Sequence, residues 1–581
     1  MRTLILAGGA MAAAVLVVGA QAPAADPLLQ AMHDEVDRSV KLKLPNLEAP
    51  YFVEYLLDES DSFTVAATLG GLTEHSRTKF REPDVQVRVG DYKFDNTNSA
   101  GSGGGGSRYD LESFPLDNDY PVLRRYLWLE TDSVYKGAVE AISRKRAAMR
   151  NINQNDQLAD FAHAEPVHFI KPFQRLSLDE KTWANRTRSL SAVFAKYPDV
   201  KTSSVELHAD NGGYYVVNSE GTEVQVPENV SYVRARATAQ APDGATLHDV
   251  VTFHALDLAH LPSEEEMSRS LTKMADELVA LARAPKGEDY NGPILFEGEA
   301  GPQIFAEILA KNLTLTRPQT GGRGGGAPGS EFEGRMGARV LPDTFDVVDD
   351  PTQKEWRGKA LFGSYDVDRE GVMAKPLHLI EKGTLKGYLL TRQPMRGFEA
   401  SNGRARLPGS GQASVADISN LFVSSSETVP ASDMKKKLVE LIQARNKPYG
   451  IIVRKMDFPS TAARDELVRM LQGAQGTAHP VSMPLLVYKV FPDGREELVR
   501  GLRFRGFNAR SLKDILLVGD DATAFDFLDS TVPFAALEGR ASYTTEACVV
   551  APSILIDDLE LHPVEDELPK LPVVPAPELV K

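Results

Sequence analysis

Residues 290–312 read YNGPILFEGEAGPQIFAEILAKN, and the architecture turns on this stretch. The apolar run Ile294-Leu295-Phe296 predicts a strand, Gly298 and Gly301 fold it into a tight turn, and Pro302 stands where a helix can begin. Ile304, Phe305, Ile308 and Leu309 then recur as one buried helical stripe. Glu297 and Glu299 lie two apart, so at a strand end they share a face. There they form either a carboxylate pair or acceptors for backbone N–H groups and caps of the following helix.

Upstream the sequence predicts a mixed domain. A helix is expected over 27–43, where Leu29, Met32, Val36 and Val40 keep helical spacing. Strands follow at 51–57, 63–68 and 85–89, then a helix over 131–150, and further strands at 204–207, 214–217, 231–237 and 250–254. Ser263 and Glu266 form a capping box ahead of a stripe made by Met267, Leu271, Met274, Leu278 and Leu281. The stretch 288–291 then reads as a junction between domains.

Downstream, glycine and proline rise and short strands dominate: 361–366, 376–381, 385–390, 421–425, and a hairpin 485–504 turning at Asp493-Gly494. Helices are expected at 303–312, 432–446, 461–472 and 510–516. The expectation is an α+β chain of two domains, a mixed N-terminal domain over 25–286 and a β-rich C-terminal domain over 287–565 with a mixed-sheet, barrel-like core. Glycine-rich runs at 101–107 and 321–326 read as loops, and the tail 566–581 is Pro-rich. The run 321–326 lacks the Gly-Lys-Ser/Thr ending of a phosphate-binding loop.

Residues 1–24 have the order of a secretory signal peptide: Arg2, an apolar run, then small residues, with cleavage after Ala22 or, better, Ala24. This predicts a periplasmic or secreted protein starting near Ala25 with no membrane span. The 581 residues carry a net charge of −16, which disfavours nucleic acid as a partner. The basic cluster Arg144-Lys145-Arg146 with Arg150 ends a helix and complements its dipole. Cys548 is the only cysteine, so the fold holds no internal disulfide, and an inert thiol is expected there.

The order of several stretches resembles the TldD/PmbA (modulator of DNA gyrase) metallopeptidase-like family, closest to exported members with an LFEGEA-type sequence. Besides 290–312, these are Arg339-Val340-Leu341-Pro342 before Val347-Val348-Asp349-Asp350, and Asp368-Arg369-Glu370-Gly371-Val372, with Arg369 replacing an acid. The hairpin 379–388, the turn Ser401-Asn402-Gly403, and the late strands at 420–423 and 552–559 agree as well. The likeness is weak over 26–285 and good over 286–565.

Active members of that family are zinc peptidases with a His-Glu-x-x-x-His motif in the strand-helix element, the histidines holding the metal and the glutamate acting as general base. On that resemblance Phe296 and Gly301 stand at the histidines and Glu297 at the glutamate, a vestigial base. No zinc or other cofactor is expected, and no metal ligands or confident catalytic residues are assigned. A cysteine ligand of active members lies near the C-terminus; Cys548 is its only candidate, and its spacing to Pro552 is too short.

The resemblance implies a zinc-less, PmbA-like subunit, a homodimer or a heterodimer with a TldD-like subunit, binding extended or unfolded peptide. Phe296, Glu297, Gly298, Glu299 and Gly301 are the cleft candidates. The alternative is an active metallopeptidase with an atypical or partner-completed metal site, degrading small or unfolded peptides. His248, His254 and His260, six apart around a strand, point in dissimilar directions and are not expected to share a metal, nor are His163 and His168 near Glu165.

Overall fold

The computed structural model describes residues 26–99, 113–149, 158–317, 329–408, 414–474, 479–531, 534 and 544–564. The signal-like segment, both glycine-rich runs and the Pro-rich tail therefore lie outside the described residues.

The N-terminal domain contains α1 (Pro27–Ser39), β1 (Pro50–Thr68), β2 (Gly71–Val89), α2 (Tyr120–Met149), β3 (His168–Ile170) and α3 (Glu180–Ser191). It continues through β4 (Val200–Asn218), β5 (Glu223–Gln240), β6 (Thr246–Ala255) and α4 (Glu264–Arg283). Asp26 caps α1 by accepting from Leu28 N at 2.8 Å, with Pro27 in the first turn. The Ser263/Glu266 capping box opens α4 as the sequence predicts. One six-stranded sheet runs in the order β2-β1-β4-β5-β3, with β6 paired to the far part of β5.

The strands are longer than the sequence suggests. The pieces at 51–57 and 63–68 are one 19-residue strand, and those at 204–207 and 214–217 are another. The polar stretch Asp58-Glu59-Ser60-Asp61-Ser62 read as a break. In the fold its members find partners: Arg81 reaches Glu59, Arg77 reaches Asp61, Ser60 donates to Asp210, and Arg369 pairs with Asp58. Leu69 and Gly70, both at positive φ, close the β1–β2 hairpin in two residues.

Side-chain alternation then divides the sheet's two faces. Odd-numbered residues of β1 and β4 pack under the helices, Val53, Tyr55 and Leu57 beneath α1 and α2, Phe63 and Leu207 beneath α3 and α4. Even-numbered residues, among them Leu56, Tyr214, Val216, Val230 and Tyr232, meet the C-terminal domain through Val367, Leu361, Phe362 and Val550. The two domains thus share one buried sheet face. Helix α2 begins 11 residues before the expected start at 131. Its Lys145 does not end the helix in solvent: it is buried, donating to Asp95 O and Thr97 O and pairing with Asp160.

The C-terminal domain opens with β7 (Tyr290–Phe296) and α5 (Ala300–Ile304), which continues as a π-helical turn over Phe305–Ala310. Then come β8 (Phe345–Asp349), β9 (Glu355–Trp356), β10 (Lys359–Ala360), β11 (Leu377–Glu381), β12 (Thr384–Leu385), β13 (Ala405–Pro408), β14 (Ser414–Ala416) and β15 (Asn420–Ser425). After α6 (Ala431–Ala444) follow β16 (Gly450–Met456), α7 (Arg464–Gly473), β17 (Pro484–Val490), β18 (Glu496–Val499) and β19 (Leu502–Arg505). The last strands are β20 (Ile515–Val518), β21 (Thr523–Ser530), β22 (Thr544–Ala551) and β23 (Ile554–Pro563). The helix expected at 510–516 is instead a short 3-10 turn over Ala509–Asp514 leading into β20.

Two mixed sheets, ordered β12-β11-β8-β15-β22-β21 and β18-β17-β16-β7-β23-β19, enclose one large core around α5. Helix α6 covers the second sheet's outer face with Met434, Leu438 and Ile442. The architecture is α+β, as the sequence implies. No helix of the described residues is long and apolar enough to cross a membrane.

Candidate functional site

The 290–312 element lies at the centre of the second sheet, with β7 between β16, parallel to it, and β23, antiparallel. Ile294 and Phe296 face the core around α5 while Leu295 faces α6, so both faces are buried, which is why the run is continuously apolar. Phe296, at the strand's end, is fully buried, its ring centroid 5.8 Å from Phe507 and 5.9 Å from Phe504. Aromatic pairs in this range pack favourably, so the side chain is a core element.

Glu297 N donates to Val453 O at 3.0 Å, extending the β16 pairing one residue past the strand. Its carboxylate receives Arg454 Nε at 2.6 Å, and the same guanidinium grips Glu496 through Nη1 and Nη2 at 2.9 and 3.1 Å while covering the Tyr488 ring. Gly298 follows at φ +64°, a conformation side chains disfavour. Glu299 is exposed. Gly301 is buried, and a Cβ there would stand 2.7 Å from Pro552 O, so the helix and the turn between β22 and β23 meet backbone to backbone. Gln303 reaches back to accept from Met456 N at 2.8 Å.

This geometry does not suit a zinc ion at Phe296 and Gly301, the positions that the resemblance assigns to the ligands. Phenylalanine and glycine offer no donor atom, Gly301 has no room for a side chain, and the one carboxylate is held by an arginine. Among the described residues no three or more His, Cys, Asp or Glu side chains gather as a metal-binding group.

The three histidines of β6 and its loop go different ways. His248 Nε2 lies 2.8 Å from Asp457 Oδ1, and His260 pairs with Asp257. His254 packs on Phe362 at 4.9 Å, where burial pulls its imidazole down to about 3 and keeps it neutral. His163 lies 3.9 Å from Glu220, and His168 lies 3.7 Å from Glu223. Cys548 is buried in the apolar contact between domains with Tyr232 and Phe362; burial pushes its thiol well up, and Asp526 beside it adds to this. Four residues of strand, about 13 Å, separate it from Pro552 and the Gly301 contact.

A cavity of about 590 Å³ opens beside the turn. Gly298, Glu299, Pro302 and Gln303 form one wall of it, Val250 through His254 of β6 a second, and Thr523 through Asp526 of β21 a third. Lys455 closes one end, donating to Asp249 Oδ1 at 2.6 Å and Val250 O at 2.7 Å. Burial alone would pull this ammonium down, but Asp249, with Glu299 and Glu277 behind it, holds it up at about 12.

Consecutive residues of both strands line the cavity, so it runs along their edges; a cavity on one face would touch only alternate residues. Among the described residues both edges are unpaired there: β6 pairs only with β5, and β21 only with β22. Of the five cleft candidates, Gly298 and Glu299 reach this cavity, Phe296 and Gly301 lie buried behind it, and Glu297 is tied to Arg454. The edge of β21, Lys455 and Lys359 were not singled out in the sequence. The alternation of Phe525 and Phe527 marks β21 as a strand, but nothing local marks it as an edge.

The family of the PmbA/TldA metallopeptidase C-terminal domain matches residues 290–458. A metalloprotease of Methanocaldococcus jannaschii is 35% identical over 99 residues, 16% of this chain and 20% of that protein. A metalloprotease of Archaeoglobus fulgidus is 32% identical over 78 residues, 13% of this chain and 17% of that protein. The chain spans about a fifth of the length of the curated relatives it matches.

Among solved structures, a proposed modulator of a DNA gyrase from Thermotoga maritima superposes with a TM-score of 0.55 at 15% identity, covering 88% of this chain and 96% of that one. TldE from Thermococcus kodakarensis gives 0.54 at 12% identity, with 91% and 99% covered. A second proposed modulator of DNA gyrase, from Bacteroides thetaiotaomicron, gives 0.54 at 11%, with 92% and 98% covered. At these identities the likeness is one of fold, and it extends across both domains.

Proposed function

Because this chain belongs to the metallopeptidase-like TldD/PmbA family, we propose that it is a zinc-less member that captures extended peptide in the cleft between β6 and β21. The observation that carries the reading is the pair of strand edges, unpaired among the described residues, that face one cavity beside the Glu297–Gly301 turn. An extended segment can add to such an edge, its backbone groups hydrogen-bonding to the strand and its alternate side chains pointing to opposite walls. Because backbone contacts give most of the affinity, capture would tolerate many sequences.

Within this reading Glu297 has no proton to take. The Arg454 guanidinium satisfies its carboxylate, and no metal acidifies a water beside it. Lys455 and the His248–Asp457 contact tie the start of β6 to the C-terminal domain, beside the edge over 250–254. Export, dimer formation and pairing with a TldD-like subunit belong to the same proposal. The order of residues 2–24 supports export, and the family resemblance supports the dimer.

The test is a fluorescence anisotropy titration of the full chain with an unstructured, end-capped peptide, repeated with Thr523→Trp. Thr523 is exposed at the cavity wall, so the variant fills the cleft without disturbing the core. Saturable binding that the variant weakens at least tenfold is expected. Binding that Thr523→Trp leaves unchanged would remove the cleft from the reading. Metal-dependent cleavage of the peptide would favour an active peptidase with a metal site completed by a partner.

A further inference from the structure

We infer that this cleft selects extended peptides carrying positively charged side chains, with Glu299 as the residue that sets the preference. The inference rests on the peptide-capture reading and names its substrate class.

The argument is a charge balance over the ionisable groups that line the cavity: His254, His260, Glu299, Lys359, Lys455 and Asp526. Lys359 Nζ lies 2.5 Å from Asp526 Oδ2, and that carboxylate is 94% buried, so the two charges cancel locally. Lys455 is held by Asp249 at 2.6 Å, and His260 by Asp257 at 2.8 Å. His254 sits uncharged against Phe362. Glu299 remains. It makes no ion pair among the described residues and is exposed at the turn beside the strand edges. Lys455 feels Glu299 and Glu277 as well as Asp249, with which it pairs, so a single ammonium answers to three carboxylates and offsets Glu299 only in part. The cleft therefore carries surplus negative charge.

A peptide added along either edge points every second side chain to the same wall. A lysine or arginine on the side facing Glu299 meets a carboxylate that Lys455 compensates only in part, beside a cavity where the attraction exceeds that at an open surface. A glutamate in the same register meets repulsion. The whole chain's net charge of −16 adds a long-range field of the same sign, which draws cationic peptides in but does not discriminate register.

Three capped, unstructured peptides identical except for Lys, Gln or Glu at alternate positions test this, titrated against the full chain at low ionic strength. The Lys peptide should bind about fivefold tighter than the Glu peptide, with Gln between, and the difference should shrink as salt rises. Glu299→Gln should remove most of the difference, and Glu299→Lys should invert it. A thermal melt confirms that the variants fold. Equal affinity for all three peptides, or a Lys preference unchanged in Glu299→Gln, overturns the charge selection while leaving capture standing. If none of the peptides binds, the capture reading fails and this inference fails with it.

Discussion

Arg454 donates its Nε–H to Oε1 of Glu297 at 2.6 Å, and with its other two nitrogens it holds Glu496. The carboxylate that the resemblance places at the general base is thereby part of a surface ion-pair chain that also includes Lys435. Glu297 is 26% exposed and Arg454 35%, so water screens the pair and its net worth is small.

Glu297→Gln should therefore cost less than about 1 kcal/mol in denaturant unfolding and leave peptide affinity unchanged. Loss of more than about tenfold in binding or in any peptide cleavage would give this carboxylate a chemical role.

Phe296→Ala should cost about 3–5 kcal/mol, as expected when a fully buried ring packed on Phe504 and Phe507 is removed. Chemical denaturation of the full chain reads it directly. A cost below about 1 kcal/mol would mean that the side chain is not core.

Placing histidines at the positions that the resemblance assigns to ligands should not create a metal site. In Phe296→His with Gly301→His, the second imidazole needs a Cβ where Pro552 O already stands 2.7 Å away. The double variant should lose stability and take up no stoichiometric zinc. A folded variant holding one zinc per chain would contradict this.

The position of the 290–312 element was legible because its two periodicities are local: a continuous apolar run for a strand buried on both faces, then a helical stripe. The capping box of α4 was legible for the same reason. The strand lengths were not, since the polar residues Asp58 to Ser62 look like a break until Arg77, Arg81, Arg369 and Asp210 arrive from sequence positions far away. Lys145 misled similarly: its partners Asp95, Thr97 and Asp160 come from two loops that only the fold brings together. At the cleft, Gly298 and Glu299 were among the residues named from sequence, yet the cavity's other walls belong to β6 and β21, more than 260 residues apart along the chain. An edge is a property of the assembled sheet, so no local pattern announces it.

Removing Lys455 should loosen the junction that closes one end of the cleft. Its ammonium is mostly buried against Asp249 and Val250 O, so Lys455→Met leaves a buried carboxylate without its cation, a loss of about 3–5 kcal/mol. Hydrogen exchange should show faster opening of β6 over 246–255 than in the unaltered chain. Unchanged protection of β6 would show that this contact does not hold the strand.

Stability should fall as pH rises from about 5 to 8. Burial pushes the carboxyls of Glu54 and Glu307 up to about 7 and that of Asp210 up to about 6. The folded chain therefore holds protons that the unfolded chain has released. With more protons bound in the folded state, unfolding free energy decreases with pH between the unfolded and folded values, by up to about 1.4 kcal/mol per pH unit for each such group. Thermal midpoints measured across that range check the sign, and Glu307→Gln should flatten part of the slope. A midpoint that rises from pH 5 to pH 8 would contradict the burial of these groups.

Native mass spectrometry of the purified chain with an unfolded peptide tests zinc-free capture most directly, because one spectrum reads bound metal, bound peptide and any cleavage. The expected spectrum shows an intact peptide adduct on a protein without zinc, unchanged by a chelator. One zinc per chain together with shortened peptides, both lost on chelation, would contradict it.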